Sequence, residues 1–360
     1  MAQKVLVGMS GGVDSSATAL ILMKDHQVAG ATMKLFGSDD IVAGSKTCCA
    51  LTDVEDARSV CNRLGLDHHV FNFTNEFHQE VMERFADGYA AGETPNPCID
   101  CNRFVKFPYL LRRAEQLGFT HIATGHYARI CLDEAGGRYQ LLRGMDQTKD
   151  QSYVLYAMTQ EELSRTLLPL GDKTKAEIRA IATDHGLVTA DKPDSQDICF
   201  VPDGDYAKFL TEKMGLSASA GDIIDETGKV LGKHTGALRY TLGQRRGLGV
   251  SSSAPLYVTG KDMVRNTVTV GNEAELFTDR FIVRTPNWIA IDTLTEPIEV
   301  TVMTRYRDRE TAATLHPLAN GDVEVRLSAP KRAVTPGQAA VFYQADVVVG
   351  GGVIAAAPYI

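Results

Sequence analysis

The stretch Gly8-Met9-Ser10-Gly11-Gly12-Val13-Asp14-Ser15-Ser16 decides which fold this chain can adopt. It follows the apolar run 5–7 and leads into residues 17–23, which are mostly good helix formers. A strand, a glycine turn and a helix start form an anion site, because glycines allow close backbone approach and N–H groups converge at a partly positive helix end. The serines add hydroxyl donors, and Asp14 could hold a metal ion that accompanies polyphosphate. The stretch therefore predicts a phosphate-binding loop.

Two other phosphate motifs do not fit this loop. A Walker loop has Lys and then Ser or Thr after its last glycine, whereas Val13 and Asp14 follow Gly12. The dinucleotide pattern G-x-G-x-x-G is not matched either. Ser-Gly-Gly-Val-Asp-Ser instead resembles the pyrophosphate-binding loop of the N-type ATP pyrophosphatases. Those enzymes split ATP between its α and β phosphates and transfer AMP onto an oxygen, so the resemblance implies ATP chemistry but no particular substrate.

Length and composition indicate an ordinary globular protein. With 360 residues, of which 44% are hydrophobic and 23% charged, we expect two or three domains. No apolar run has transmembrane length, and no signal peptide fits because the loop begins at residue 8, so we expect a cytoplasmic protein. The net charge of −8 argues against a chain-wide grip on nucleic acid, although local basic patches remain compatible with one.

The first part of the chain alternates between strand and helix patterns. Buried strands are predicted at 28–36, 69–73 and 121–125, and amphipathic helices at 53–64, 76–89 and 104–117. This alternation predicts a parallel sheet covered on both faces, with ligands bound at the carboxyl ends of the strands. A capping box, Thr174 to Glu177, opens a further helix that runs to about His185.

The pattern changes after about residue 205, where short alternating segments are separated by turns. Two small β domains are the expected partition, with a break near 277–280. We therefore expect domains at 1–204, 205–277 and 278–360.

The cysteines suggest chemistry rather than cross-linking. Seven are an odd number for a disulfide scaffold and point to free, catalytic or metal-binding thiols. Residues 94–102 contain two prolines, predicting a loop that presents Cys98-x-x-Cys101. Zinc is not expected, since Cys48 and Cys49 are adjacent rather than two apart, and a thioredoxin-like pair fits poorly. We interpret Cys61 and Cys131 as inert, while Cys199 alone could equally be a core cysteine.

Six motifs in order narrow the resemblance. They are the loop above, Thr-Pro-Asn-Pro-x-x-x-Cys-Asn, Ala-Thr-Gly-His-Tyr-Ala, Lys-Asp-Gln-Ser-Tyr, Asp-Ser-x-x-Ile-Cys-Phe and a β-rich C-terminus. Together they resemble the tRNA-specific 2-thiouridylase (MnmA) family from residue 8 to Gly352. The resemblance implies a Rossmann-like sheet of the N-type ATP pyrophosphatase kind, followed by two small β domains, the last a β-barrel. It also implies ATP-dependent thiolation at C2 of the wobble uridine (U34) in tRNAs for lysine, glutamate and glutamine.

The family's functional positions carry over residue by residue. Cys101 matches the nucleophile, and Cys199 the cysteine that bears a persulfide. Residues matching the ATP-Mg²⁺ site are Gly8, Met9, Ser10, Gly11, Gly12, Val13, Asp14, Ser15, Met33 and Gly125. Asn96, Pro97 and Cys98 match the segment that meets the target base. Residues matching tRNA contacts are His126, Lys149, Asp150, Gln151, Arg305, Tyr306 and Gln338.

One position departs from part of the family. Some members carry aspartate where this chain has Cys98, and such a carboxylate could take a proton from uracil. Asp100 lies nearby, but on an extended segment it would point away from Cys98. A second thiol could also form a resting disulfide with Cys101. We expect Cys98 to be non-catalytic.

Two chemical questions stay open. Either the Cys199 persulfide attacks C2 directly, or Cys101 first releases hydrosulfide from it. The sulfur donor, a cysteine desulfurase or a persulfide relay protein, is not identified by the sequence.

Basic residues cluster locally, which suits contacts with tRNA phosphates. The clusters are Arg239, Arg245 and Arg246; Arg305, Arg307 and Arg309; Lys331 and Arg332; and Arg112 and Arg113. Interleaved Tyr240 and Tyr306 could stack on splayed anticodon-loop bases.

Three alternative functions remain to be weighed. An AMP-forming synthetase acting on a small molecule would use the same loop but would not need two separated cysteines. An RNA-binding module would make ATP irrelevant, and a zinc or redox protein would use Cys98 and Cys101 alone.

Overall fold

The computed structural model describes residues 2–37, 40, 51–193 and 198–356. Its first layer is a five-stranded sheet in which every pairing is parallel, in the order β3-β2-β1-β4-β7. These strands are β1 Lys4–Gly8, β2 Gln27–Lys34, β3 His68–Asn72, β4 His121–Ala123 and β7 Thr166–Leu167. The chain order reverses at β1, so a crevice is expected between the ends of β1 and β4. The expected Rossmann-like sheet is confirmed.

Helices cover both faces of this sheet. The α-helices of the described residues are α1 Val13–Leu22, α2 Leu51–Leu64, α3 Thr74–Phe77, α4 Arg84–Ala90, α5 Pro97–Asp100, α6 Phe107–Gln116, α7 Ser152–Leu155, α8 Gln160–Ser164, α9 Lys175–Asp184 and α10 Tyr206–Glu212. Leu6 packs in the apolar cluster that contains α6, while Val5 and Val7 pack in the cluster of α1 and α9, as alternation along a strand requires. None of the described helices is long and apolar enough to span a membrane.

The predicted loop at 94–102 is wrong from Pro97 onward, because the chain is helical there, whereas residues 94–96 have no regular structure. The Asn96 side chain accepts a hydrogen bond from the Cys98 N–H at 3.1 Å and caps α5, and Pro97 occupies the first turn. Proline is tolerated there because its missing N–H has no partner inside a helix. A π-helical stretch, Cys101–Lys106, then joins α5 to α6. A similar stretch, His78–Glu83, joins α3 to α4.

Two β units follow the parallel sheet. A four-stranded sheet has the order β10-β11-β8-β9, with β8 Gly221–Ile224, β9 Val230–His234, β10 Tyr257–Asp262 and β11 Thr267–Gly271. The last unit contains β12 Phe277–Trp288, β13 Ile298–Met303, β14 Thr311–Pro317, β15 Val323–Arg332, β16 Ala339–Gln344 and β17 Val347–Ile354. Strand β12 pairs with both β15 and β17, so these strands close into a barrel, as expected.

A hairpin was not anticipated from the sequence. Strands β5 Ala128–Asp133 and β6 Arg138–Arg143 follow β4 in the chain and pair with each other. Strand β6 also pairs with β17 through Leu142 and Val347. The hairpin therefore joins the first part of the chain to the outside of the barrel.

Candidate active site

The predicted phosphate loop lies at the carboxyl end of β1. Gly11 has a φ of +73°, and a Cβ at this position would overlap the backbone of Asp53 on α2. The Ser10 N–H donates to Ser15 Oγ at 3.2 Å, and Ser15 Oγ donates to the Gly12 carbonyl at 3.1 Å. These contacts fix the turn over the start of α1, where the first N–H groups have no partner inside the helix. The loop is thus shaped to bind an anion.

Gly125 and Met33 lie against the same loop. Gly125 follows β4, and a Cβ there would stand 2.9 Å from the carbonyl carbon of Asp14 and 3.0 Å from the Ser15 nitrogen. Only glycine therefore lets the end of β4 approach the start of α1 so closely. Met33 Cε lies 3.8 Å from the Cβ that a side chain at Gly8 would have. The residues predicted to contact a nucleotide thus share the crevice between β1 and β4.

A buried lysine that the sequence reading missed holds the carboxylate of the loop. Lys175 Nζ lies 2.7 and 2.8 Å from the two oxygens of Asp14, and Lys175 is only 8% exposed. The Tyr127 hydroxyl donates to the same carboxylate at 2.8 Å. The confirmed capping box of Thr174 and Glu177 sets the start of α9 and hence this lysine. The sequence did contain a signal for Lys175, because the first turn of a helix usually carries acidic residues rather than a lysine.

Lys192 is a second lysine that the sequence analysis missed, and it forms a hydrogen bond with the phosphate loop. Lys192 Nζ donates to the Gly11 carbonyl at 3.0 Å, to Asp53 at 2.5 Å and to Asp56 at 2.8 Å. Burial lowers the pKa of Lys192, but the two carboxylates outweigh this effect and leave the pKa above its ordinary value. Lys192 stays charged at physiological pH and ties the loop carbonyl of Gly11 to the two carboxylates of α2.

The two cysteines of α5 and its extension lie on one helical turn. The Cys101 N–H donates to the carbonyls of Cys98 and Pro97, so Cys98 and Cys101 lie three residues apart along one face. Cys98 is exposed, whereas Cys101 is 5% exposed. Cys98 and Cys101 are free thiols. Because the segment is helical rather than extended, the argument that turned Asp100 away from Cys98 does not hold.

Cys101 and Cys199 pack against the same apolar cluster. The neighbouring Phe200 is fully buried there, with its ring centroid 5.7 Å from Phe77 and 5.5 Å from Phe85. Phe200 thus anchors the chain next to Cys199. The turn at 194–197, like Cys48 and Cys49, lies outside the described residues.

Burial governs the ionisation of the groups around Cys101. It raises the pKa of the Cys101 thiol to about 11, against an opposing effect of the Lys106 ammonium. It also raises the pKa of Asp100 to about 6. Burial, and then the charge of Lys106, lower the pKa of His126 to about 3, so this imidazole is neutral, with Nδ1 2.7 Å from Thr124 Oγ1. In a π-helix, residues five apart share a face, which places Lys106 on the side of Cys101.

Two of the segments that resemble tRNA-contacting ones meet in space. The Tyr306 hydroxyl donates to the Asp150 carbonyl at 3.3 Å. The Asp150 carboxylate accepts from the Gly144 N–H at 3.0 Å and the Ser152 hydroxyl at 2.9 Å, so it fixes its own turn. Gln151 similarly accepts from the backbone of Tyr127. Residues 149–151 therefore form a rigid platform beside residues 305–306.

A cavity of about 400 Å³ joins the three parts of the chain. Its lining includes Thr94, Gln244, Arg305, Arg332 and Gln338. Gln338 Nε2 donates to the Thr94 carbonyl at 2.5 Å, and the Thr94 N–H donates to the Pro336 carbonyl at 2.9 Å. The barrel is thus bonded to the residue that leads into Asn96, Pro97 and Cys98.

Two residues of the expected tRNA-binding surface, one basic and one aromatic, are not available for it. Lys331 is 10% exposed and pairs with Asp308 at 3.0 Å. Tyr240 is 7% exposed and packs in the core of the four-stranded sheet, so the expectation that it stacks on bases is wrong. Arg245 and Arg246 are exposed, as expected.

Within the described ranges, no group of three or more His, Cys, Asp or Glu side chains is placed to hold a metal ion. A Mg²⁺ ion at the loop would therefore take most of its oxygen ligands from polyphosphate and water, with Asp14 as the protein carboxylate nearest the loop.

Comparison with known proteins gives matches along nearly the whole chain. Residues 3–203 match a family model described as the tRNA methyl transferase HUP domain. Residues 207–272 match the tRNA methyl transferase PRC-barrel domain, and 278–354 the aminomethyltransferase beta-barrel domain.

Several relatives carry the name tRNA-specific 2-thiouridylase MnmA. The chain is 48% identical to that of Acetivibrio thermocellus, over 98% of this chain and 99% of the relative. It is 46% identical to that of Clostridium acetobutylicum, over 98% and 100%. With that of Clostridioides difficile it shares 44% identity, over 98% of each.

Proposed function

Because this chain belongs to the family of tRNA-specific 2-thiouridylases, we propose that it uses ATP to replace the C2 oxygen of a tRNA wobble uridine with sulfur. The observation that carries this conclusion is an identity of 48% over 98% of the chain, to a relative of that name. We further propose that the target nucleotide is U34 of the tRNAs for lysine, glutamate and glutamine. We keep 1–204, 205–277 and 278–360 as proposed domains and the cytoplasm as the proposed location.

We assign ATP binding to Gly8 through Ser15 together with Met33 and Gly125. The convergent N–H groups of the loop would bind phosphate oxygens, and Lys175 would supply positive charge beside them. When bound with Mg²⁺, ATP supplies the AMP group that turns the C2 oxygen into a good leaving group. Asp14 is the residue we assign to the metal. Holding the activated base and the sulfur together is worth roughly 7–11 kcal/mol of the barrier.

Sulfur delivery is assigned to the two cysteines on the shared apolar cluster. Cys199 would carry a persulfide received from a cysteine desulfurase or a relay protein. Either its terminal sulfur attacks C2 and Cys101 then attacks the bridging sulfur, or Cys101 first displaces hydrosulfide, which attacks. Both routes end with a disulfide between Cys101 and Cys199. The attacking species is a thiolate, so the Lys106 charge near Cys101 favours either route.

The target base is assigned to Asn96, Pro97 and Cys98, beside the cavity of Arg305 and Gln338. A uridine in a stacked loop reaches such a site by extrusion, which costs a few kcal/mol. The neutral His126, the platform Lys149-Asp150-Gln151, and Tyr306 are the further residues we assign to tRNA. A neutral imidazole suits hydrogen bonding to a base more than phosphate binding.

Mass spectrometry of nucleosides from tRNA tests the function directly. With ATP-Mg²⁺ and a persulfide source, the wild type should form 2-thiouridine, whereas Cys101→Ser and Cys199→Ser should form none. Cys98→Ser should retain most of the product of a single turnover, as should the control Cys131→Ser, which alters an exposed thiol on β5. An active Cys101→Ser enzyme with an inactive Cys98→Ser enzyme would refute the assignment. Pyrophosphate release driven by a small molecule instead of tRNA would indicate an AMP-forming synthetase.

A further inference from the structure

Arg143, the last residue of β6, lies between two carboxylates from different parts of the chain. Its Nη1 lies 3.5 Å from Asp150 Oδ2 in the platform of residues 149–151, and its Nη2 lies 2.7 Å from Oε1 of Glu310, the residue before β14 of the barrel. The guanidinium carbon lies 3.6 Å from the ring centroid of Tyr343 on β16. One side chain therefore contacts both the platform and the barrel.

Arg143 and two of these partners are largely withdrawn from water. The side chains of Arg143 and Asp150 are 15% and 11% exposed, and Tyr343 is fully buried. Salt screens ion pairs much less at such sites than at the surface, and the attraction of a cation to a ring is stronger when both are desolvated. The planar guanidinium holds its N–H donors in fixed directions, whereas an ammonium on a flexible chain does not. Arg143 therefore fixes the relative positions of the groups that it contacts.

The carboxylate that Arg143 contacts also organises the platform. Asp150 Oδ1 accepts hydrogen bonds from the N–H groups of Gly144 and Ser152, at 3.0 and 3.1 Å. The main-chain carbonyl of Asp150 accepts from the hydroxyl of Tyr306, which lies between β13 and β14, at 3.3 Å. A displaced Asp150 would therefore shift the platform and lose its contact with the barrel.

We propose that Arg143 is a positioning residue for tRNA, which holds residues 149–151 at a fixed place beside residues 305–306 of the barrel. This inference rests on the proposed function, in which both segments contact tRNA. Tight binding is favoured when both segments are in place beforehand, because ordering them on binding costs free energy. Arg143 also pairs with the carboxylate of Asp150, which would otherwise repel nearby phosphates. In this role Arg143 acts through the platform and does not itself contact the RNA.

Arg138 provides a matched control at the other end of β6. Its side chain is 23% exposed and pairs with Asp292, and its Nε donates to the Ile289 carbonyl at 3.0 Å, just beyond β12. None of these contacts reaches residues 149–151 or 305–306. Arg138→Met and Arg143→Met each remove an arginine that joins the hairpin to the barrel side of the molecule. A loss of tRNA affinity that came only from a weakened junction should therefore affect both variants alike.

Filter binding of tRNA, combined with single-turnover thiolation at saturating tRNA, tests the positioning role. Arg143→Met and Arg143→Lys should each weaken tRNA binding about tenfold, while the single-turnover yield and the affinity for a non-cleavable ATP analogue stay within twofold of the wild type. Arg138→Met should bind tRNA like the wild type. Glu310→Gln, at a side chain 37% exposed, breaks only the barrel end of the contact. It should weaken tRNA binding at least threefold, and it tests the proposal even where Arg143→Met is unstable.

A double-mutant cycle with Lys149→Ala separates positioning from general stability. If Arg143 acts through the platform, the two changes together should weaken tRNA binding clearly less than the product of their separate effects. Fully independent effects would overturn the positioning role alone, as would equal losses in Arg138→Met and Arg143→Met, or unchanged affinity in both Arg143→Lys and Glu310→Gln. A wild type that neither binds tRNA nor forms thiouridine would overturn the proposed function, and the positioning role with it.

Discussion

The surroundings of Cys101 lower the reactivity of its thiol, because burial raises the thiol pKa. With a pKa of about 11, roughly one such thiol in ten thousand is ionised at pH 7. Only the thiolate reacts with alkylating agents or with sulfur. A chain without bound tRNA therefore protects its nucleophile by burial. Lys106 supplies the opposing charge next to it.

The reactivity of this thiol with iodoacetamide should depend steeply on pH. In a Cys98→Ser background, the alkylation rate of Cys101 should rise about tenfold per pH unit from pH 7 to pH 10, because its pKa is about 11. Adding Lys106→Met should slow the reaction further, since it removes the charge that favours the thiolate. Peptide mass spectrometry gives the rates, with Cys131 as the internal control. A rate independent of pH would contradict this account.

Lys175 is the residue from which we expect the largest effect on nucleotide binding. A hydrogen bond to a charged group is worth about 1.5–3 kcal/mol, so Lys175→Gln should weaken binding of an ATP analogue with a non-cleavable α–β bridge by about tenfold to a hundredfold. Lys175→Arg should retain part of the affinity because it keeps the charge. Calorimetry on the protein without tRNA measures this.

Removing the buried charge of Lys175 could also affect folding, so the experiment needs a control for stability. Lys175→Gln leaves Asp14 without its cation, so the Tm of each Lys175 variant is measured beside its affinity, and an unchanged Tm with weaker binding separates binding from folding. Lys173→Gln, two residues away, should bind the analogue like the wild type. Equal affinities for wild type and all Lys175 variants would remove this lysine from the nucleotide site.

Strand β10 contacts α4 through Lys261, whose charged form is destabilised by burial. Lys261 Nζ is buried and has no hydrogen-bond partner among the described residues, and it lies 5.9 Å from the centre of the Tyr89 ring. Burial lowers its pKa from 10.5 to about 8. A folded-state pKa below the unfolded one makes the charged form costly. The full penalty applies below pH 8 and disappears as the pH rises from about 8 to about 10.5.

Lys261→Met should therefore stabilise the protein at neutral pH. The pKa shift corresponds to about 3 kcal/mol at most, and the cation–π contact that is lost is worth about 1 kcal/mol, so a net gain is expected. The Tm difference from the wild type should be several degrees at pH 7 and should shrink towards pH 10. Lys233→Met, at an exposed lysine on β9, should show no such pH-dependent gain. A destabilised Lys261→Met protein would contradict the argument.

The elements also show which features a sequence pattern can predict. The parallel sheet and the helix start at Thr174 were predictable, because periodicity and capping act between residues close in sequence. The helix that carries Cys98 and Cys101 was missed because the prolines were interpreted as helix breakers. Pro97 instead follows the N-cap residue Asn96 and lies in the first turn, where proline is tolerated. The contact of Lys175 with Asp14 spans 161 residues, and only the packing of α9 on α1 brings the two together. The pairing of β6 with β17 is a similar long-range contact.

For the whole molecule, a net charge of −8 must be reconciled with a polyanionic substrate. Binding that neutralises phosphates releases counterions, so affinity falls as salt rises. The basic side chains differ in whether they are exposed and can contact phosphates. Arg245 and Arg246 are exposed, whereas Lys331 is 10% exposed and paired with Asp308. The exposed arginines should therefore set the salt dependence, and the buried lysine should not.

Paired variants test this division across the molecule. The logarithm of the tRNA affinity should fall linearly with the logarithm of salt concentration, with a slope of about 0.7–0.9 per phosphate neutralised. Arg245→Ala with Arg246→Ala should reduce the magnitude of that slope by about one to two at an unchanged Tm, since neither side chain packs in a core. Lys331→Met should leave the slope unchanged but lower the Tm, because it removes the cation that pairs with the half-buried carboxylate of Asp308. Filter binding at several salt concentrations gives the slopes. Equal slopes for wild type and the double arginine variant would place the phosphate contacts elsewhere on the molecule.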